Sequence, residues 1–375
     1  MTGILILEHM KELLVKTGDC LKSALLSPVY RRTQFSTLLI YLLSVIWGYS
    51  QDGSQHSYRF IFYNVENFFD TFDDTLREDN DFLNGGTMRW NYTRYLRKLN
   101  SIYKVIIAAG EWSPPAVIGF CEVESRMVLE DMIKHTYLSK YDYGIIHEDS
   151  NDPRGIDVCL IYRKDLVEPV FFTYLVPQEY RPQDFKTRSV LYVKLRISGY
   201  YIHLFLNHWP SRRGGVLAGE SLRAAISGML INKTDSIQNS ENGLSRIIIA
   251  GDFNSVPSDD VIRNLTGGVK DPAVSTMHLT NLTEYLANEG QGTYRYRGIW
   301  EMFDQVIVSE LLLNSKRGIY TGYDQLHIFK PDFLLRKDRS YPGFTTNPTY
   351  VGYRYFGGYS DHLPVIIDLK VNPDP

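Results

Sequence analysis

IIIAGDFNSVPSD (residues 247–259) begins as a block of branched aliphatics and stops at Gly251, after which a carboxylate, an aromatic ring and an amide follow in Asp252, Phe253 and Asn254. A short apolar block bounded by glycine and proline reads as a buried strand. Polar groups placed where such a strand ends stand on a rigid support, a usual position for residues that carry function. The same grammar recurs along the chain. Arg59–Tyr63 runs into Asn64 and Glu66, Ala116–Cys121 into Glu122, and Tyr201–Leu206 into Asn207 and His208, while Ser360, Asp361 and His362 stand just ahead of Leu363–Leu369. Val158–Tyr162, Val190–Ile197, Arg246–Ala250 and Gln305–Val308 complete the expected strands. Helices are expected over Tyr92–Ala109, Val128–Thr136 and Ser221–Ile231, the last capped by Ser221. Strands and helices interleave from Tyr58 to Val371 with no long linker or repeat, which predicts a single α/β domain over residues 58–371, its strands in two sheets with helices outside. Asp149–Arg154 and the Gly-, Pro- and Tyr-rich stretch Pro331–Tyr359 read as surface loops.

Composition narrows the classes. With 375 residues, 44% of them hydrophobic, the chain can bury a sizeable core and is neither fibrous nor disordered. Its 27 tyrosines favour a β-rich interior. The net charge is −3; residues 1–50 carry five Lys/Arg and three Asp/Glu, so the remainder holds 35 against 40, or −5. Such a balance argues against a protein that holds nucleic acid mainly by charge. Cys121 and Cys159 lie inside apolar runs and are expected as buried free thiols, and with Cys20 they fit no zinc spacing.

Residues 1–50 are expected to be an extension with a signal or anchor, and are set apart from the fold. Arg31 and Arg32 precede FSTLLIYLLSVIW (35–47), which has no charge and is followed by small and polar residues. That order matches a secretory signal, and the run is shorter than the ~20 residues of a membrane span. The expectation is export, to a periplasm or the outside, with an uncleaved membrane anchor as the alternative.

The residue types point to one chemistry. Glu122, Asp361, Asp252, Asn64 and Asn254 offer hard oxygen donors that suit Mg²⁺ or Mn²⁺, and no Cys/His cluster favours zinc. His208 and His362, beside carboxylates, can donate to phosphate oxygens or move protons near neutral pH. A cation, histidines and a carboxylate fit attack of water on a phosphate ester.

The ordered set FYNVENFFD (62–70), VIGFCEVES (117–125), GIDVCLIYR (155–163), LNHWPSR (206–212), IIIAGDFNSVPSD (247–259), FDQVIVS (303–309) and GYSDHLPVIIDL (358–369) resembles the endonuclease/exonuclease/phosphatase superfamily, which includes DNase I-like nucleases, sphingomyelinases and inositol-polyphosphate phosphatases. The resemblance implies a four-layer α/β sandwich, two mixed β-sheets flanked by helices, with the active site at one rim. It implies Glu122, Asn64 and Asp361 as metal ligands, and Asp252 as the residue that orients or deprotonates water. Asn254 would hold phosphate or that nucleophile; Asn64, Asn207 and Arg188 would also contact substrate. His362 would donate to the scissile phosphate, kept in its tautomer by Asp304, with His208 on the leaving-group side. Glu66 reads equally as a supporting group or a turn residue, Arg212 and Arg213 as a solvated pair, and Gln305 as a residue that tunes the site. The implied activity is Mg²⁺-dependent (or Mn²⁺-dependent) phosphodiester hydrolysis by a monomer with no stable protein partner, most simply on nucleic acid. The alternatives are a phospholipid or inositol-phosphate esterase of sphingomyelinase type, and a catalytically silent scaffold on the same fold.

Overall fold

The computed structural model describes residues 56–212, 219–267, 278–314, 316 and 318–372. The expected signal segment, Cys20 and Arg213 lie outside these residues. The first half of the chain forms β1 (Ser57–Phe68), α1 (Tyr92–Gly110), β2 (Val117–Val123), α2 (Arg126–Lys134), β3 (Tyr143–Ile146), β4 (Asp157–Arg163), β5 (Val167–Leu175), β6 (Val190–Ile197) and β7 (Tyr200–His208). Next come α3 (Glu220–Ser240), β8 (Ile247–Asp252), α4 (Asp260–Leu265), β9 (Leu279–Asn281), α5 (Glu284–Asn288), β10 (Tyr294–Tyr296), β11 (Ile299–Glu301), β12 (Asp304–Ser309) and α6 (Glu310–Leu313). The remainder holds β13 (Ile319–Tyr320), β14 (Leu326–Ile328), two hairpins, β15 (Leu335–Lys337) with β16 (Phe344–Thr346) and β17 (Tyr350–Val351) with β18 (Arg354–Tyr355), and finally β19 (Val365–Val371).

Two large sheets organise these elements. One runs β13-β19-β1-β2-β4-β3, with β14 also on β19; the other runs β5-β6-β7-β8-β12-β9. Both are mixed, since β1–β2 and β7–β8 are parallel pairs among antiparallel neighbours. Strand alternation explains how each sheet is buried on two faces. In β1, Phe60 and Phe62 face a core shared with Leu204, Leu206, Ile248 and Val306 of the other sheet. The alternate residues Ile61 and Tyr63 pack against Leu99, Ile102 and Ile106 of α1 and Leu129 of α2. On the far side, Phe205, Ile247 and Ile249 pack under Ile226 and Leu230 of α3 and Ile262 of α4. Helix, sheet, sheet, helix are therefore stacked as four layers, the sandwich that the motifs imply. Gly119 marks where the sheets press together, because a Cβ there would lie 2.8 Å from the methyls of Leu206.

Several expectations are corrected. Helix α3 opens after Gly219, in the left-handed region at φ 72°, so Ser221 lies in its first turn rather than at the cap. Strand β5 was not expected: Pro169 interrupts its alternation, and the pairing with β6 slips between Pro169 and Phe171, a bulge on an edge strand. Pro331–Tyr359 holds the two hairpins and is tied into the interior, as described below. As expected, Cys121 and Cys159 are buried and unbridged. Among the described residues no helix is long and apolar enough to cross a membrane.

Candidate active site

Strand register lays out the first part of the site. His208 ends β7 opposite Asp252 at the end of β8, and Asp304 opens β12 opposite the same Asp252. Three residues distant in sequence thus share one line across the sheet rim. His362 reaches this line from the turn into β19 and forms a bridge with Tyr294. Its Nδ1 lies 2.6 Å from Asp304 Oδ2, and its Nε2 lies 3.8 Å from Asp252 Oδ2. A carboxylate at Nδ1 holds a proton there and aims Nε2 outward. Burial opposes charge on His362, but Asp304 and Asp252 outweigh it and hold its pKa well above the usual imidazole range.

Asp252 is held at both oxygens. Asn64 Nδ2 donates to Oδ2 at 3.0 Å, and the Asn254 N–H donates to Oδ1 at 2.9 Å. Burial pushes its carboxyl up to about 7, with His362 opposing and Asp304 adding to the rise. His208 Nε2 stands 3.7 Å from both Glu122 Oε1 and Asp252 Oδ2. Burial, with Arg188, Arg154 and His362 adding, holds that imidazole well below its ordinary pKa and so neutral.

The carboxylate side of the site comes from the other sheet. The β1–β2 pairing shifts between Asn64 and Phe68, and the β2–β4 pairing between Cys121 and Val123, so Asn64 and Glu122 stand at bulges. Glu66, Asn67 and Glu122 adopt positive φ of 52°, 49° and 64°, and Asn254 one of 46°. Non-glycine residues in the left-handed region carry a local cost and cluster where function needs them. Glu122 Oε2 accepts the Asn67 N–H at 2.8 Å. Burial raises the Asp361 carboxyl, with His362 opposing and Glu122 reinforcing. Asn64, Glu122 and Asp361 together offer amide and carboxylate oxygens, a donor set that fits a hard divalent cation. Asp252, Asp304 and His362 also lie close enough to hold an ion, but the 2.6 Å bond already joins two of the three. That trio reads as a proton-handling group.

Behind the site stands a clamp that the sequence did not reveal. The Glu66 carboxylate accepts the N–H groups of Thr349 at 2.6 Å and Tyr350 at 2.9 Å. Lys98, on the buried face of α1, donates from Nζ to Thr349 Oγ1 and to Tyr359 O, both at 2.6 Å. Burial lowers the Lys98 pKa, while Glu66, Asp361 and Glu122 oppose that fall. Glu66 is therefore a supporting group, and the stretch before Asp361 is fastened to β1 and α1.

Other expected residues belong to the framework. Asn207 donates its amide to Phe205 O and Ala250 O, each at 3.3 Å, and accepts the Trp209 indole N–H at 3.1 Å. Arg188 is buried, donating to Asp152 Oδ2 at 2.9 Å and to Trp209 O at 2.7 Å. Trp209 O also accepts from Asn254 Nδ2 at 3.0 Å. Asn207 and Arg188 thus brace the loops around Asp252 instead of presenting their side chains to a ligand. Gln305 is buried and bonds Ser255 O, Met302 O and Asn281. Arg212 is no solvated pair member: it donates to Asn254 O at 2.8 Å, pairs with Asp259 and lies 5.2 Å over the Phe303 ring. Tyr294 went unforeseen; its ring sits 4.9 Å from that of His362 and stacks on Phe303.

Compared by sequence with curated proteins, the chain matches none. Among solved structures, an endonuclease/exonuclease/phosphatase family protein from Bacteroides thetaiotaomicron is similar at 15% identity and a TM-score of 0.53, covering 85% of this chain and 96% of its own. The catalytic domain of human Nocturnin, with a bound sulfate, is similar at 17% identity and a TM-score of 0.51, covering 84% and 95%. D. rerio TDP2 in complex with a single-strand DNA product follows at 14% identity and a TM-score of 0.50, covering 84% and 98%. These likenesses concern the fold. The sequence profile of the Endonuclease/Exonuclease/phosphatase family matches residues 59–371, and the chain belongs to that family.

Proposed function

We propose that the protein is a divalent-metal-dependent phosphodiesterase, with nucleic acid as its first substrate class. The observation that carries this reading is the buried line Asp304–His362–Asp252 beside the oxygen donors Asn64, Glu122 and Asp361. Mg²⁺ or Mn²⁺ held by Glu122, Asp361 and Asn64 supplies positive charge against the phosphate when bound. The side chains do the rest. Asp252, with a carboxyl near neutrality, takes a proton from water while Asn64 and the Asn254 N–H keep it oriented. His362, charged through Asp304, donates from Nε2 to a phosphate oxygen. Neutral His208 can give the leaving-group oxygen a hydrogen bond from a ring N–H, while the proton that oxygen takes up comes from solvent.

Export by the 35–47 segment and action as a monomer are part of the proposal. A second reading, hydrolysis of a phospholipid or inositol-phosphate head group, is favoured by the acidic balance of the chain, since a long polyanion gains little from it. The test is hydrolysis of bis-p-nitrophenyl phosphate with Mg²⁺ or Mn²⁺ and with EDTA, followed by DNA, RNA, sphingomyelin and inositol phosphates. Metal-dependent turnover abolished by Asp252→Ala and His362→Ala supports the proposal. No turnover on any substrate with any metal would leave the silent-scaffold reading.

A further inference from the structure

Beyond Glu122, the same end of the seven-stranded sheet opens into a pocket of about 220 Å³ lined by Asp70, Asp73, Asp74, Glu124, Asp149 and Asp157, against a single arginine, Arg77. Crowded acids alone prove nothing, because a solvated face tolerates them. His147 adds a different kind of observation. Its side chain is 2% exposed, and its Nε2 is buried with no hydrogen-bond partner. That nitrogen lies 3.5 Å from Asp157 Oδ2, beyond the usual N–H···O distance of about 2.7–3.2 Å. The other ring nitrogen lies 3.9 Å from Asp149 Oδ1. A buried polar nitrogen left unpaired loses its hydration with nothing in return and calls for an explanation.

The spacing supplies one. Asp157 Oδ1 is taken by the Ser150 N–H at 2.8 Å, and Oδ2 is the oxygen that faces His147. One donor atom from each of His147, Asp149 and Asp157 lies within 4.8 Å of the others. Two donors bound at about 2.1 Å to one ion stand roughly 3–3.5 Å apart, which is the separation of a ligand pair rather than of a hydrogen bond. Asp157 is anchored by the β2–β4 pairing with Val123, so one donor is built into the sheet. Asp149 faces Nδ1 in this structure, and its 72%-exposed side chain has room to turn toward an ion held between Nε2 and Asp157. We propose that His147, Asp149 and Asp157 form a second divalent-cation site, distinct from the Asn64–Glu122–Asp361 set, that takes Zn²⁺ or Mn²⁺ in preference to Mg²⁺. The imidazole decides the preference: nitrogen suits zinc and its transition-metal neighbours, whereas Mg²⁺ keeps to oxygen and water. A cation here offsets part of the negative charge beside the catalytic rim.

The test is Mn²⁺ titration of the metal-stripped full chain, read by the electron paramagnetic resonance of free Mn²⁺. Two classes of site are expected. Glu122→Gln should lose one class, and Asp149→Asn and His147→Gln should each weaken the other by at least about tenfold, the scale on which even supporting groups act. Zn²⁺ should displace Mn²⁺ from the His147 class, where excess Mg²⁺ does not. Asp149 is on the surface, so Asp149→Asn keeps the test open if the buried His147 variant does not fold. A single class of site, or a second class unmoved by both substitutions, overturns the proposal; displacement of both classes by Mg²⁺ overturns the stated preference.

Discussion

Asp304→Asn isolates the electrostatic role of one buried carboxylate. The asparagine keeps the shape and can still accept from His362 Nδ1, but it removes the charge 2.6 Å away. Asp304 is fully buried, so no solvent replaces the lost interaction. A hydrogen bond to a charged group contributes about 1.5–3 kcal/mol. At 1.36 kcal/mol per tenfold, kcat on bis-p-nitrophenyl phosphate should fall about 10- to 150-fold. The pH profile carries the second signature. His362 has a raised pKa in the parent because Asp304 and Asp252 outweigh burial. Removing Asp304 lowers it, so the basic limb of kcat should move to lower pH. Stability follows the same sign. A histidine with a raised folded pKa contributes stability that is complete below its unfolded pKa of about 6.5 and lost as pH rises through the folded value. The urea midpoints of parent and variant should therefore differ most near about pH 6 and converge in alkali. Parent-like kcat together with an unmoved basic limb would refute the assignment.

Four further outcomes follow from the same geometry. Asp252→Asn should cut turnover by about 10² or more, and the amide can accept only one of the two N–H groups that the carboxylate holds. The Asp252 carboxyl is raised to about 7, so ionising it costs the parent stability as pH climbs from its ordinary value, and the Tm of the metal-free variant relative to the parent should be higher at about pH 8 than at pH 4. Lys98→Met leaves the carboxylates around it without their cation, and Thr349 Oγ1 and Tyr359 O with only their own 3.4 Å contact; at about 3–5 kcal/mol for a broken buried pair, Tm should drop by roughly 5–8 °C in a melting scan. Gly251→Ala places a Cβ 2.3 Å from Asn207 O, a clash with backbone, and should yield little soluble folded protein by circular dichroism. EDTA should remove all diesterase activity, with Mg²⁺ or Mn²⁺ restoring it in a spectrophotometric assay.

Local signals carried most of the fold. Val190–Ile197 forms a strand with the expected bounds, because Leu191, Val193, Leu195 and Ile197 alternate on one buried face and Ser198-Gly199 ends the run. The residues that meet around Asp252 were legible for the same reason: each stands at the end of such a block. Features that depend on distant partners were not. Glu66 could not be separated from a turn residue, since its partners Thr349 and Tyr350 lie across the chain. Lys98 sits on the apolar stripe of an amphipathic helix, where a lysine gives no local sign of a buried partner. Arg188 resembled a phosphate contact by its place before β6, but Asp152 and Trp209 claim both ends of its guanidinium. Tyr294 belongs to a three-residue strand too short for periodicity to mark.

The pairing of β1 with β19 sets when the candidate site can be complete. Ser57 is opposite Lys370 and Phe62 opposite Val365, so the first and last strands of the domain are interior neighbours. Asp361 and His362 are delivered only when β19 docks, and the Asn64 carbonyl then accepts the Ser360 hydroxyl at 2.7 Å. On a ribosome, β1 waits unpaired on that edge while nearly the whole domain is made. On the proposed assignment of Asp361 and His362, a nascent chain is thus inert by topology until the sheet closes.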